Sequence, residues 1–73
     1  MGGEILTTMD PKAIGRRLVE LRGSRTQEEV ADALNISISA LSMYERGERI
    51  PRDNIKIRIS MYYKKPIHKI FFV

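Results

Sequence analysis

Apolar side chains recur along most of this chain at the spacing of helices that bury one face. Ile14, Leu18 and Leu21 fall on one side of a segment that begins at Asp10-Pro11. That pair starts a helix well, because aspartate caps free backbone N–H groups and proline loses nothing at the first helical position. Gly23 closes the segment, since glycine reaches left-handed backbone angles without steric cost. Thr26-Gln27-Glu28-Glu29 has the form of a capping box and predicts a second helix, with Val30, Ala31 and Leu34 as its buried stripe. Asn35 tolerates positive φ and permits a tight turn after it. Residues 1–9 carry no such pattern and are expected to form a loose tail ahead of a single domain over residues 10–73.

Two later stretches fit a strand as well as a helix. In "NISISALS" polar and apolar residues alternate, the period of a half-buried strand. Ser37 as a cap, Ile36 stapled on Leu41 and Gly47 as a stop favour a third helix over about residues 38–46. "NIKIRISMYY" alternates too and, taken alone, is closer to a strand. It has no partner strand, and Ile55, Ile59 and Tyr62 also satisfy helical spacing, so a fourth helix is expected with Ile57 left outside its stripe. After Lys65-Pro66 a short fifth helix turns Ile67, Ile70 and Phe71 inward. The fold class expected is all-α, a compact five-helix domain.

Length permits one core and no more: at 73 residues a second could not exclude enough water. The absence of cysteine removes disulfides, thiolate metal sites and thiol nucleophiles, and fits a reducing cytoplasm. No apolar run approaches the roughly 18 residues of a membrane span, and the N-terminus lacks the pattern of a signal segment. The net charge of +4 favours polyanionic partners. Its distribution is more informative: residues 1–26 sum to +2, residues 27–47 to −3 and residues 48–73 to +5. Between the basic flanks, Asn35 to Tyr44 carry no charge at all. At about 100° per residue, Leu41 and Tyr44 point inward. Ser39, Ser42, Met43 and Arg46 point outward, and Ile38 sits at the leading edge. One side of the uncharged run is core; the other is a small neutral surface suited to a DNA groove.

Two short helices joined at Asn35-Ile36-Ser37, with small Ala31 near their crossing, make a helix-turn-helix pattern. Residues 11–73 resemble the lambda-repressor/Cro-like (Xre-type) helix-turn-helix family. The resemblance rests on "LVELRGSRTQEEVADALNISISALSMYERGERIP": Gln27 opening helix 2, Ala31, Leu41, the Tyr44-Glu45-Arg46-Gly47 end of helix 3, and Pro51. Asn35 stands where the family usually has glycine, the connection before helix 2 is about two residues short, and helix 3 begins with Ile38 where polar base readers are common.

The resemblance implies that the start of helix 2 lies at a DNA phosphate and that helix 3 reads base edges in the major groove. Phosphate contacts position a protein and base contacts specify sequence. The expected base contacts are Ile38, Ser39, Ser42 and Met43: hydroxyls bond many bases, and apolar side chains pack on thymine methyl groups. The expected phosphate contacts are Gln27, Ser37, Arg25, Arg46, Arg49 and Arg52. Structural roles fall to Ala31, Leu41, Tyr44 and Gly47, and to an Arg22 to Glu45 ion pair tying helix 1 to helix 3. Lys56, Arg58, Lys64, Lys65 and Lys69 are expected on solvated faces.

The function these features imply is a sequence-specific double-stranded DNA-binding transcriptional regulator, a repressor acting as a homodimer on a palindromic operator. The alternative is an antitoxin or adaptor that uses the same fold to hold a partner protein through its apolar C-terminal surface. An enzyme is disfavoured, since no nucleophile is paired with a base and no phosphate-cradling glycine loop is present. No catalytic residue, metal ligand, cofactor or small-molecule site is expected; His68 is a lone histidine.

Overall fold

The computed structural model describes residues 9–72, which form α1 (Pro11–Arg22), α2 (Gln27–Leu34), α3 (Ile38–Glu45), α4 (Asp53–Tyr63) and α5 (Ile67–Phe71). Among the described residues there is no strand, so both alternating stretches are helical. Of the tail expected over residues 1–9, residues 1–8 lie outside the described residues, and Met9 packs against the core. None of these helices is long and apolar enough to cross a membrane.

Local chemistry sets the helix ends. Asp10 accepts from the N–H of Lys12 at 3.1 Å, Thr26 from that of Glu29 at 3.0 Å, and Ser37 from that of Ala40 at 3.0 Å. Of the predicted capping box only the hydroxyl half forms. Asn35 is left-handed at φ 58°, and the N–H of Ile36 donates to the carbonyl of Ala31 at 3.0 Å, which closes α2 in a Schellman turn. Arg58 donates to the carbonyl of Leu34 at 3.2 Å and satisfies another free group there.

α1 packs on α3 and α5, α2 on α3 and α4, and α4 on α5. Ile14 and Leu18 meet Val30, Leu34, Leu41, Ile59, Ile70 and Phe71 in one core. One close helix contact is not singled out by the sequence pattern: a Cβ at Gly15 would lie 2.4 Å from the carbonyl oxygen of Glu45. Ala31 is buried as expected, and Gly15 admits a neighbouring backbone as a separate close approach between α1 and the end of α3.

α4 corrects one expectation. Lys56 is buried rather than solvated, because the helical period places it on the inner face with Ile59. Its aliphatic stem covers apolar surface while Nζ reaches Asp53 at 3.3 Å and lies 6.0 Å from the Phe71 ring centroid. Ile57 is half exposed, consistent with its place outside the buried stripe.

Candidate nucleic-acid interface

α3 separates its residues by side. Leu41, Tyr44 and Glu45 are buried, Ile38 and Ser39 are exposed, and Ser42 and Met43 are partly exposed. Gln27, Ile38, Ser39, Ser42, Met43, Arg46 and Glu48 line one open surface hollow. The residues expected to contact bases are therefore brought together, with Gln27 from α2 and Arg46 from the end of α3 at their margin. Ile38, 47% exposed, presents an apolar tip where a polar reader is usual.

An ion-pair network holds this surface on the domain. Glu45, whose side chain is 3% exposed, accepts from Arg22 Nε at 2.8 Å and Nη2 at 3.2 Å, so the pair that the resemblance implied is present. This bidentate geometry fixes orientation as well as charge, and the bond raises the pKa of Arg22 further above its ordinary value. Gln27 Nε2 donates to the same carboxylate at 2.8 Å, joining the first turn of α2 to the last turn of α3. One amide hydrogen of Gln27 is thereby used and one remains. Lys12 Nζ donates to the carbonyl of Arg46 at 3.1 Å, and Gly47, at φ 74°, packs against Lys12 and Pro11.

The basic residues divide. Arg49 and Arg52 are exposed on the segment between α3 and α4, and neither has a salt bridge or side-chain hydrogen bond to another described residue. Arg25 does not line the hollow. It donates to the carbonyls of Leu21 and Arg22 and lies over the Tyr62 and Tyr63 rings at 5.6 and 5.8 Å. Ser37 is exposed with its hydroxyl spent on the cap of α3. Glu48 was missed from sequence, although an acid two residues after Arg46 was the available signal. Its carboxylate accepts from Arg46 Nε at 2.9 Å and Nη2 at 3.1 Å, and its pKa is lowered chiefly by that bond.

A sequence model of the helix-turn-helix family matches residues 16–70, most of the chain. The chain belongs to this family, in its lambda-repressor-like (Xre) branch. Among solved structures it is similar to the restriction-modification controller protein C.AhdI from Aeromonas hydrophila. That match has 25% identity and a TM-score of 0.76, and covers 85% of this chain and 97% of that one. It also shares its fold with the clp gene regulator ClgR from C. glutamicum, at 20% identity and a TM-score of 0.75, over 92% of this chain and 88% of that one. No curated protein matches the sequence. Within this helix-turn-helix, α2 and α3 are the paired helices, and the hollow lies on the outer side of α3.

Proposed function

We propose that this protein is a transcriptional repressor whose α3 enters the major groove and reads bases with Ile38, Ser39, Ser42 and Met43. As a helix-turn-helix regulator it is a DNA-binding protein. The observation that carries the reading is the shared hollow: uncharged side chains on an exposed helix face, bordered by Gln27 and Arg46 and fixed by a buried ion pair. Gln27, with its remaining amide hydrogen, and the exposed Arg49 and Arg52 serve the phosphates on either side. Ser37 adds its backbone at the start of α3.

One such domain contacts few base pairs. Two copies on half-sites about one turn, roughly 34 Å, apart supply the selectivity a single copy lacks. The exposed Ile57, Met61 and Phe72 on α4 and after α5 are the surface through which two copies meet on a palindromic operator in the cytoplasm. Selection of bound fragments from a random double-stranded DNA pool tests this reading. It predicts one motif with two-fold symmetry and salt-sensitive binding. Retention of a stoichiometric partner protein, with no DNA motif selected, would overturn it in favour of the adaptor reading.

A further inference from the structure

The guanidinium of Arg46 is held by three hydrogen bonds to two partners. Nε and Nη2 donate to the two carboxylate oxygens of Glu48 at 2.9 and 3.1 Å, and Nη1 donates to Ser42 Oγ at 2.5 Å. The backbone of Glu48 is itself fixed, since its N–H donates to the carbonyl of Met43 at 2.9 Å and closes the end of α3. A guanidinium has five N–H donors, and these bonds leave one on each terminal nitrogen. Those are the donors that a bidentate contact with guanine N7 and O6 needs.

We propose that Arg46, aimed by Glu48 and Ser42, reads a guanine in the operator, and that Glu48 is the positioning residue for that contact. This rests on the proposed entry of α3 into the major groove and replaces the phosphate role expected for Arg46. Two considerations favour a base over a phosphate. First, Arg46 borders the same hollow as Ile38, Ser39, Ser42 and Met43, the face directed at base edges. Second, the adjacent carboxylate offsets the charge that would draw a phosphate, and would itself repel one. What the pair keeps is direction. One free donor on each terminal nitrogen suits the two acceptors of guanine, whereas adenine presents a donor at its sixth position and is rejected. Ser42 then acts partly through Arg46, which links its expected base role to the same base pair.

The test is random-pool selection followed by titration of single-base variants, using the full chain, Glu48→Ala and Arg46→Lys. Both side chains are about half exposed, at 57% for Arg46 and 50% for Glu48, so neither change removes core; thermal melting checks the fold. For the unmodified protein, replacing one guanine by adenine should weaken binding roughly 5- to 150-fold. Arg46→Lys should erase that preference, and Glu48→Ala should reduce it several-fold, with the other positions unchanged. Non-specific binding of Glu48→Ala at low salt should not fall. The proposal is overturned if Glu48→Ala strengthens binding to every sequence alike with the guanine preference intact, which marks Glu48 as a competitor of phosphate. It is also overturned if Arg46→Lys weakens every sequence evenly. In either case the proposed function survives. If the unmodified protein selects no sequence, both fall together.

Discussion

Gly15 of α1 lies against the backbone carbonyl of Glu45 on α3, with room for a hydrogen and none for a methyl group. The same Glu45 extends its carboxylate to Arg22, two turns further along α1, so the two helices are joined once by contact and once by charge. Both contacts brace α3 from its inner side and leave its outer side free for other contacts.

Gly15→Ala separates two opposing effects. Alanine raises helix propensity by up to about 1 kcal/mol. Against this, its Cβ would sit 2.4 Å from a backbone oxygen and 3.0 Å from the N–H nitrogen of Gly47, atoms that cannot rotate aside. The clash should win, with a net loss of about 2 kcal/mol in urea unfolding. A gain in stability would show that α1 and α3 are less closely packed.

Glu45→Ala removes the acceptor shared by Arg22 Nε and Nη2 and by Gln27 Nε2, while Arg22 Nη1 keeps the carbonyl of Arg25. Breaking a buried pair costs several kcal/mol, and partial exposure of Arg22 moves the expectation to about 3 kcal/mol. The measurement is the denaturation midpoint. A loss below 1 kcal/mol would mean that the pair is exchanged for water at little cost.

How far these features could be read from the residues depends on whether their causes are local. The caps at Asp10, Thr26 and Ser37 and the left-handed turn at Asn35 depend on neighbours a few residues away, and all four were legible. The Arg22 to Glu45 pair was legible only through family resemblance, because its partners are 23 residues apart. Gly15 could not be distinguished from any helical glycine until α3 was seen against it. Lys56 defied its charge because helical period decides which way a stem points, and the tip escaped through Asp53. The alternating isoleucines of α4 suggested a strand, yet with no second strand to pair them the helix satisfied the backbone and left Ile57 outside. Within the interface, the outward set on α3 followed from period alone. The bracing of Arg46 by Glu48 did not, because it depends on how the chain turns at Gly47.

Lys64 closes α4 in the left-handed region at φ 57°, an angle that strains any residue with a Cβ. Lys64→Gly should relieve that strain and stabilise the fold by about 0.5–1 kcal/mol, after allowing for the greater freedom of glycine in the unfolded chain. A rise in melting temperature is the expected outcome; a fall would assign Lys64 a contact that outweighs its backbone strain.

The hydroxyl of Tyr63 is buried without a hydrogen-bond partner. Burial, assisted by the nearby Glu45 charge, pushes its pKa up from 10.0 to about 12. The folded chain therefore keeps this proton through a range in which the unfolded chain releases it. The contribution is intact below pH 10 and declines as pH rises towards 12. Tyr63→Phe removes that part of the alkaline decline and, by deleting an unsatisfied polar atom, should raise stability near neutrality by about 1 kcal/mol. Paired denaturation curves at neutral and alkaline pH check both effects, and an unchanged alkaline slope would contradict the first.

The outer face of α3 is tested most directly by titrating a duplex carrying the selected site, and each of its single-base variants, with the unmodified protein and with Ser39→Ala and Met43→Ala. If these side chains meet base edges, each substitution should change the order of preference at one or two positions by roughly 5-fold or more, leaving the remaining positions alone. Isotherms that shift in parallel across all variants, for both substitutions, would contradict the placement of this face in the groove.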